Sequence, residues 1–226
     1  MKWYLYRSGP GAPAFNMAMD EALLEAMPRL DVPVLRFYAW AESAATFGYF
    51  QKYSQVERAT HLRPLIRRPT GGGLVPHESD WTYSLVFPAG HPWYRLKAPQ
   101  TYHYVHQWIQ AAFALLGVPT ALASEACSSS PGKCFAGWVK SDVLCNGRKI
   151  AGAAQRRTRT GLLIQGSIQP GTNWPARLHW EHAMIQLGTD KFGITWVKFE
   201  PDAILLECAR ELVERKYGLP AYNQKR

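Results

Sequence analysis

The dipeptide Asn146-Gly147 is the feature that most limits the fold of this chain. It separates two strand-like runs, 140–145 and 149–155. Asn-Gly is typical of a two-residue type I′ turn, because both turn residues there need a positive φ. The sequence therefore predicts an antiparallel hairpin in its second half. Other runs rich in β-branched and aromatic residues predict further strands, at 34–38, 45–50, 82–87 and 161–168.

Helix-like segments lie at both ends of the chain and in its middle. Methionines and leucines recur at helical spacing over 16–27, and Pro28 is expected to break the chain there. The strongest helix signal covers 99–116, and the last helix is expected over 201–217 with Gly218 as its cap. Antiparallel strands combined with such helices indicate an α+β fold.

The composition predicts a folded protein without a membrane segment. With 226 residues, of which 47% are hydrophobic and 19% charged, the chain can bury a full core. We therefore expect residues 1–226 to form one domain. The N-terminus has no signal-peptide pattern, and no stretch reaches the roughly 18 apolar residues that a membrane helix needs. The four cysteines form no CxxC pair and are expected to be free thiols, as in a soluble cytoplasmic protein.

The net charge of +9 raises the question of a partner. Nucleic acid is the first candidate for a basic protein. The basic residues are scattered, however, and only 67–68 and 156–159 form short clusters, with no basic and aromatic RNA motif. An acidic protein partner fits equally well, because complementary charge accelerates the encounter of two proteins. A generally solvated basic surface is the simplest alternative.

The segment 67–77, with the sequence RRPTGGGLVPH, is the first candidate binding motif. Three consecutive glycines let the backbone approach a ligand closely and leave N–H groups to bind its oxygens. The two arginines before them could neutralise a carboxylate or a phosphate. The segment is neither a P-loop nor a dinucleotide fingerprint, and its structural alternative is a flexible turn between strands. The candidate substrate-binding residues here are Arg67, Arg68, Thr70, Gly71, Gly72, Gly73 and His77.

Lys149 lies at the start of the second hairpin strand and is the second candidate. The small residues Gly152, Ala153 and Ala154 follow it and would make room for a ligand. A partly desolvated lysine can bind an anion or stabilise a neighbouring thiolate. The alternative is a hairpin lysine that faces solvent.

Cys134 is the candidate nucleophile, because it lies in a Lys-Cys-Phe sequence after a Ser/Pro/Gly-rich loop. A thiolate stabilised by Lys149 would be able to accept an acyl group. Cys127 and Cys145 are alternatives, and Cys208 is expected to be an inert thiol on the apolar face of the last helix. No Gly-x-Ser-x-Gly elbow is present, and the histidines show no metal-ligand spacing.

Several segments together resemble the lipoate–protein ligase A family, and most closely its octanoyltransferase branch. The resemblance runs almost from one end of the chain to the other. It implies a biotin/lipoyl-ligase-like fold, in which helices pack around a mixed, largely antiparallel sheet. The segments that carry the resemblance are 15–24 (FNMAMDEALL), 35–38 (LRFY), 48–51 (GYFQ), 67–72 (RRPTGG), His77, 82–84 (TYS) and 147–155 (GRKIAGAAQ).

The resemblance implies acyl transfer through a cysteine thioester, without ATP or another cofactor. In the octanoyltransferase branch a cysteine upstream of the Gly-Arg-Lys strand carries the acyl group, and the lysine favours its thiolate. These positions match Cys134 and Lys149, while the Arg/Gly-rich segment and the residues after Lys149 match the walls of an acyl tunnel. The implied donor is octanoyl-acyl carrier protein. The implied acceptor is a lysine of a lipoyl domain or of a glycine cleavage H-type protein, with no nucleic acid and no membrane involved.

Two alternatives are left open by the sequence. In an ATP-dependent lipoate–protein ligase, Lys149 and the glycine segment would hold a lipoyl-adenylate with Mg²⁺, and Cys134 would be incidental. Gly73 is commoner in the ligases of the family, whereas the chain end at Arg226 leaves no room for the accessory domain that such ligases commonly need. The other alternative is a non-catalytic basic binding protein, against which Lys149 and the glycine segment argue.

Overall fold

The computed structural model describes residues 1–127, 135 and 137–225, so the predicted nucleophile Cys134 lies outside the described residues. In the described part of the chain the strands are β1 (Lys2–Gly11), β2 (Val34–Trp40), β3 (Ala44–Phe47), β4 (Leu65–Arg67), β5 (Val75–His77), β6 (Trp81–Pro88), β7 (Ala121–Leu122), β8 (Val143–Cys145), β9 (Arg148–Arg157), β10 (Gly161–Ile168) and β11 (Thr195–Lys198).

The helices connect these strands and cover the large sheet that they form. None of those in the described ranges is long and apolar enough to cross a membrane. The helices are α1 (Pro13–Leu30), α2 (Tyr53–Ala59), α3 (Pro92–Arg95), α4 (Ala98–Leu115), α5 (Arg177–Phe192), α6 (Ala203–Leu212) and α7 (Pro220–Asn223), and a π-helical turn (Val213–Tyr217) continues α6.

The strands form one large and one small sheet. The large sheet has the order β11-β1-β2-β6-β10-β9-β8-β7, and the small sheet has the order β4-β3-β5. In the large sheet β11, β1 and β2 run parallel, while every pairing from β2 to β7 is antiparallel. The expected α+β fold with a mixed, largely antiparallel sheet is therefore confirmed.

β8 and β9 form the predicted hairpin. Asn146 and Gly147 have φ values of 49° and 70°, so both turn residues are in the left-handed region that a type I′ turn requires. The turn places Lys149 on β9 opposite Leu144 of β8. The sequence pattern therefore positioned the candidate lysine correctly at the start of a strand.

The first helix is longer than the sequence predicted. Pro28 lies inside its last turn instead of breaking the chain before it. The helix ends where Asp31 adopts a left-handed φ of 46° and its N–H binds the Met27 carbonyl at 2.9 Å. The helix is enclosed between the large sheet and α6, and as a result its polar residues Asn16 and Asp20 are also buried.

Asp20 and Arg36 form a fully buried ion pair between α1 and the large sheet. Asp20 Oδ1 accepts from Arg36 Nη1 and from Ser84 Oγ, each at 2.7 Å. Asp20 Oδ2 accepts from Gln165 Nε2 at 2.8 Å and from the Tyr38 hydroxyl at 3.1 Å. The carboxylate therefore joins α1 to β2, β6 and β10.

The end of the last predicted helix is confirmed. α6 stops at Leu212, the π-helical turn continues it to Tyr217, and Gly218 is the C-cap, with a right-handed φ of −80°. Lys216 Nζ and the Tyr217 hydroxyl both donate to Glu21 of α1, at 2.7 and 2.6 Å. These tertiary hydrogen bonds act together with the local cap, in which the Gly218 N–H donates to the Val213 carbonyl at 2.8 Å.

Some elements were not predicted because distant residues stabilise them. β1 contains Gly9, Pro10 and Gly11, which strands disfavour, yet it lies between two parallel partners, β2 and β11. Its hydrogen-bond partners on β11 are almost two hundred residues away in the chain. α5 has no strong helical pattern and is held by the burial of Trp180 and Met184 against the sheet.

We expect Asp20→Ala to lower the free energy of unfolding by about 3–5 kcal/mol, because it leaves the Arg36 guanidinium buried without its counter-ion. Urea unfolding at pH 7, followed by circular dichroism, measures this change. Asp190→Ala is the control, since Asp190 is exposed near the end of α5 and should alter stability by no more than about 0.5 kcal/mol. Equal losses in the two variants would contradict the role assigned to the buried pair.

Candidate active site

A cavity lies where one face of the large sheet meets the small sheet. Its wall contains residues of β2, β6, β9 and β10, together with residues of β3, β5, α1 and the glycine segment. Its concave form and its largely apolar lining are typical of a small-molecule site.

One row of four aligned residues crosses the wall of this cavity. The strand register places Gly152 of β9 beside Ser167 of β10. Ser167 lies beside Thr82 of β6, which in turn lies beside Tyr38 of β2. All four residues line the cavity. Because neighbouring strands are about 4.8 Å apart, the row is roughly 14 Å long, and we call this part of the cavity the trough.

The hydroxyl groups of the trough already have partners within the protein. Ser167 and Thr82 both donate to Asp80 Oδ2, at 2.7 and 3.0 Å. Tyr38 donates to Asp20 at 3.1 Å. A polar group that is already hydrogen-bonded needs no partner from a ligand, so the trough can hold an apolar chain against the carbon atoms of these side chains.

His77 lies in the cavity wall as a neutral imidazole. Its Nδ1 is 2.9 Å from Asp80 Oδ2, its Nε2 is 2.7 Å from Thr46 Oγ1, and its ring stacks on Trp40. Burial lowers the pKa of His77, and this outweighs the opposing effect of Asp80. Because a carboxylate only accepts, Nδ1 carries the proton and Nε2 accepts from Thr46. Arg68 donates to the same Thr46 oxygen at 2.8 Å. Both nitrogens of the His77 ring are thus bonded to neighbouring side chains and help to position the cavity wall.

Arg68 also folds the glycine segment against the small sheet. Its guanidinium donates to the carbonyls of Gly71 and Gly73 at 3.0 and 2.7 Å. Gly72, with a left-handed φ of 86°, lines the cavity, whereas Gly71 and Gly73 lie outside its wall. A Cβ on Gly48 would approach the Gly72 carbonyl to 1.8 Å, so the two backbones pass each other as only glycine allows.

Arg67 and Thr70 lie behind the cavity wall, away from the ligand-facing position expected of them. The Arg67 guanidinium donates to the carbonyls of Tyr49 and Asn223 at 2.8 and 2.9 Å, and so connects the C-terminal residues to the turn after β3. Thr70 donates to Gln165 Oε1 at 2.8 Å. Gln165 does line the cavity, and Thr70 therefore acts on the site through that side chain.

Lys149 lies at the Gly152 end of the trough. Its Nζ is 2.8 Å from Asp142 Oδ2, and its side chain is only 8% exposed. The ammonium also lies 5.4 Å from the centre of the Phe135 ring. A Cβ on Gly152 would lie 2.6 Å from Lys149 Cε and 2.8 Å from Nζ. The glycine was expected to make room for a ligand, and it in fact makes room for the lysine side chain.

Asp142 and Tyr102 are candidate residues that the sequence analysis missed. Asp142 is fully buried just before β8 and accepts from the Val139 backbone N–H at 2.8 Å and from the Tyr102 hydroxyl of α4. Burial, together with the charge of Asp142, raises the pKa of Tyr102 well above its ordinary value, so the phenol stays protonated. The sequence signal was a single acidic residue beside the hairpin, which a solvent-facing position would explain equally well.

A second cavity meets the first at Lys149 and Phe135, which line both. Arg148 and Cys145 contribute to the wall of this second cavity. The ammonium of Lys149 is therefore at the junction of a trough and a second space. A ligand in the trough can meet a second reactant at this point.

The cysteines differ in their relation to this junction. Cys145 is half-buried, and Cys127 is exposed. Cys208 is on α6 beside Glu25, and burial raises the pKa of its thiol, in keeping with the inert thiol expected there. Cys134 is outside the described residues, and its assignment as the nucleophile stays a prediction.

The arrangement supports chemistry at a carbonyl group held near Lys149. A buried ammonium stabilises negative charge that develops on oxygen or sulfur, because little water competes for it. Ala153 and Ala154 also line the cavity. Within the described ranges, no group of three His, Cys, Asp or Glu residues could hold a metal ion. The site therefore offers an apolar trough that leads to the buried ammonium of Lys149.

Comparisons with known proteins identify similar sequences. Residues 12–176 match the family described as the lipoyl protein ligase A/B catalytic domain. The Octanoyltransferase LipM of Staphylococcus epidermidis is 34% identical over 179 residues, which cover 74% of this chain and 65% of the relative. The Octanoyltransferase LipM of Geobacillus kaustophilus is 36% identical over 182 residues, covering 74% and 64%. The matched part thus spans slightly less than two thirds of the length of these relatives.

A solved structure shares the fold at lower identity. A chain described as belonging to a bi-partite lipoate protein ligase and its E2 lipoyl domain from Thermoplasma acidophilum superimposes with a TM-score of 0.77. The two chains are 20% identical, and the match covers 99% of this chain and 96% of that one. At this identity the likeness establishes the architecture alone.

We expect His106→Leu to reduce the loss of stability on acidification. His106 of α4 is fully buried against Tyr102, and its pKa is lowered from 6.5 to about 3, mainly by burial and also by the charge of Lys149. The unfolded chain therefore binds a proton at this position between pH 6.5 and about 3 while the folded chain does not, so stability falls as pH falls through that window.

Urea unfolding midpoints measured from pH 7 to pH 4 test this expectation. The variant should lose less stability over this range than the wild type. His179→Leu is the control, because His179 is exposed on α5 and its removal should leave the slope unchanged. Parallel curves for the wild type and His106→Leu would contradict the assignment.

Proposed function

Because the chain belongs to the family of lipoyl protein ligase A/B catalytic domains, we propose that it transfers an octanoyl group to a lysine of a lipoyl domain. The observation that carries the proposal is the trough with a buried ammonium at one end. The similarity to proteins named Octanoyltransferase LipM supports the same assignment. We also propose that residues 1–226 act as one catalytic domain.

The dimensions of the trough suit an octanoyl chain. A fully extended chain advances about 1.2 Å per bond, as a polypeptide backbone does, so an octanoyl group extends roughly 8–9 Å. The row from Gly152 to Tyr38 is roughly 14 Å long and can hold that length. The acyl carbonyl then lies near Lys149, and the methyl end points toward Tyr38 and Met17.

In the first step the Cys134 thiolate attacks the carbonyl carbon of the octanoyl thioester of an acyl carrier protein. A new C–S bond forms to Cys134, and the C–S bond to the carrier breaks. The carrier leaves as a thiolate and takes up a proton from solvent. Lys149 stabilises the attacking thiolate and the oxyanion that forms at the carbonyl oxygen.

In the second step the neutral ε-amine of the acceptor lysine attacks the new thioester. The C–N bond forms, the C–S bond breaks so that the Cys134 thiolate leaves, and the nitrogen loses one proton to solvent to give the amide. Because conversion of a thioester to an amide is downhill, neither step requires ATP. The octanoyl chain can stay in the trough throughout while the groups at its carbonyl end exchange.

The cysteine assignment has support from its neighbour in the sequence. Phe135, the next residue, lines both cavities and lies over Lys149. Cys145 lines the second cavity and is one alternative nucleophile. Cys127 is exposed and is the other alternative.

Acidic protein partners agree with the charge of the chain. The net charge of +9 favours encounter with acidic domains, because complementary charge raises association rates at low salt. We therefore propose octanoyl-acyl carrier protein as the donor, and a lipoyl domain or a glycine cleavage H-type protein as the acceptor. Nucleic acid and membrane have no role in this reaction.

An ATP-dependent lipoate–protein ligase is the second candidate function. The triple-glycine segment favours it. In that case Lys149 would face the phosphate of an acyl-adenylate, with ATP and Mg²⁺ as co-reactants. The trough would bind the lipoyl chain in the same way, so the two candidates differ in how the acyl group is activated.

We expect the purified protein to transfer octanoate from acyl carrier protein to a lipoyl domain without ATP. Mass spectrometry of the enzyme mixed with the donor alone should show an adduct of about 126 Da on the peptide that bears Cys134. Cys134→Ala should abolish both the adduct and the transfer. Lys149→Ala should fold but lose activity by about 10²-fold or more.

The controls separate the alternatives. Cys208→Ala should retain activity within a few-fold, because Cys208 is remote from both cavities. The same adduct on Cys127 or Cys145 would identify that residue as the nucleophile. Transfer that occurs only from a free acid plus ATP, with Cys134→Ala still active, would establish the ligase instead.

We expect Gly152→Ala to fold but to lose most transferase activity. The added Cβ would lie within 2.8 Å of Lys149 Nζ, so the flexible lysine side chain must move away from the junction. Stability should change by about 1 kcal/mol or less, whereas activity should fall at least tenfold. Gly90→Ala is the matched control, since a Cβ there meets nothing within 4 Å and Gly90 lines neither cavity. An active Gly152→Ala enzyme would show that the position of Lys149 is not critical.

A further inference from the structure

We propose that Asp142 is a positioning residue, which keeps the Lys149 side chain charged and fixed at the junction of the two cavities. Its catalytic consequence rests on the function proposed above. The ion pair itself rests on geometry alone.

The pair is short and shielded from water. Lys149 Nζ and Asp142 Oδ2 are 2.8 Å apart, with side-chain exposures of 8% and 0%. An ammonium in such a place is expensive to keep charged unless a partner neutralises it, and a buried lysine without one releases its proton at a lower pH. Among the described residues, Asp142 is the carboxylate within ion-pair distance of Lys149.

Asp142 is itself fixed from several directions. Its Oδ2 accepts from the Val139 N–H at 2.8 Å as well as from Lys149. Its Oδ1 accepts from the Tyr102 hydroxyl. The same hydroxyl lies 3.5 Å from the backbone N of Ala153 on β9. Loop, helix and strand therefore hold the carboxylate in one orientation, and the carboxylate holds the ammonium.

The other titratable groups around the ion pair are either uncharged or face the second cavity. From α4, Tyr102 stays protonated, and His106 has its pKa lowered to about 3. From β6, Tyr83 has its pKa raised by burial and by the charge of Asp142. Arg148 and Cys145 face the second cavity next to Lys149. Among the described residues, Asp142 is therefore the carboxylate that directly contacts the Lys149 ammonium.

The consequence for the reaction is electrostatic. An ammonium that stays charged can stabilise a thiolate or an oxyanion, whereas a neutral amine in the same place cannot. If Asp142 is replaced by its neutral isostere, Lys149 retains space and neighbours but loses the group that keeps its proton bound. Asp142→Asn should therefore mimic the loss of the lysine charge while the lysine is still present.

Competitive acetylation by a trace of acetic anhydride, followed by peptide mapping, tests the ion pair directly. Only the neutral amine reacts, so the acetylation rate of Lys149 relative to exposed Lys52 reports its protonation. At pH 7–8 we expect Lys149 to react on the order of tenfold faster in Asp142→Asn than in the wild type. The difference in the Lys149 acetylation rate between the variant and the wild type should shrink as pH rises, because Lys149 becomes neutral in both proteins. An unchanged acetylation rate of Lys149 would overturn the proposal. An acceleration that is equal at all pH values would also overturn it, because it would mean that Asp142 only restricts access of the reagent to Lys149.

A second variant guards against misfolding of Asp142→Asn. Tyr102→Phe retains both charges and removes one hydrogen bond to the carboxylate. It should accelerate the acetylation of Lys149 by a few-fold, with the same pH dependence. Circular dichroism checks that each variant is folded. Tyr102→Phe with the wild-type rate would remove Tyr102 from the proposal, and wild-type rates in both variants would overturn it.

Octanoyl transfer measures the catalytic consequence. Asp142→Asn should lower kcat by about 10²-fold and change KM for the acceptor domain by less than about threefold, because Asp142 acts on charge at the reacting atoms and not on docking. Glu200→Gln is the matched control, since it removes the same charge from the exposed pair between Glu200 and Lys198, 2.6 Å apart, and should leave activity unchanged. If the wild type transfers no octanoyl group, the proposed function fails while the acetylation result still decides the role of Asp142.

Discussion

The site depends on buried carboxylates that hold its wall in place. Asp20, Asp80 and Asp142 are each nearly or fully buried, and each receives several hydrogen bonds or an ion pair. A buried carboxylate without such donors would be strongly destabilising, so donors from different strands and helices must converge on it. This requirement turns the hydroxyls of Ser167 and Tyr38 away from the trough. The polar interior thereby creates a space whose exposed atoms are largely carbon.

The sequence predicted the parts of the fold that depend on local chemistry. Asn146-Gly147 determined the hairpin, and the hairpin placed Lys149 at the start of β9. The α+β class followed from antiparallel strand-like runs combined with helix-like segments at both ends and in the middle of the chain. β1 could not be predicted, because its glycines and proline disfavour a strand and its stability comes from residues 195–198 at the other end of the chain.

Within the candidate site, residue type was predictable but the contact that each residue makes was not. Arg67 and Arg68 are adjacent and chemically identical, yet strand alternation turns one toward the C-terminal residues and the other toward the glycine segment. Gly152 was correctly identified as a position that must be small, although the atoms that fill the space belong to Lys149. The importance of Asp142 arises from Tyr102, which is 40 residues away in sequence. Pairings of this kind depend on the packing of α4 against β9 and leave no local pattern.

The geometry of the junction also explains how one site can serve two successive reactants. In the proposed mechanism the acyl chain enters the trough once and stays there, bound by contacts that both half-reactions share. Only the groups beyond the carbonyl change, first the carrier thiol and then the acceptor amine, and both must approach the same carbon. Lys149 and Phe135 border the trough and the second cavity, so a reactant in the second cavity meets the carbonyl beside the ammonium. Because Asp142 holds that ammonium from behind, its position does not depend on which reactant is present, and both steps can use the same cation.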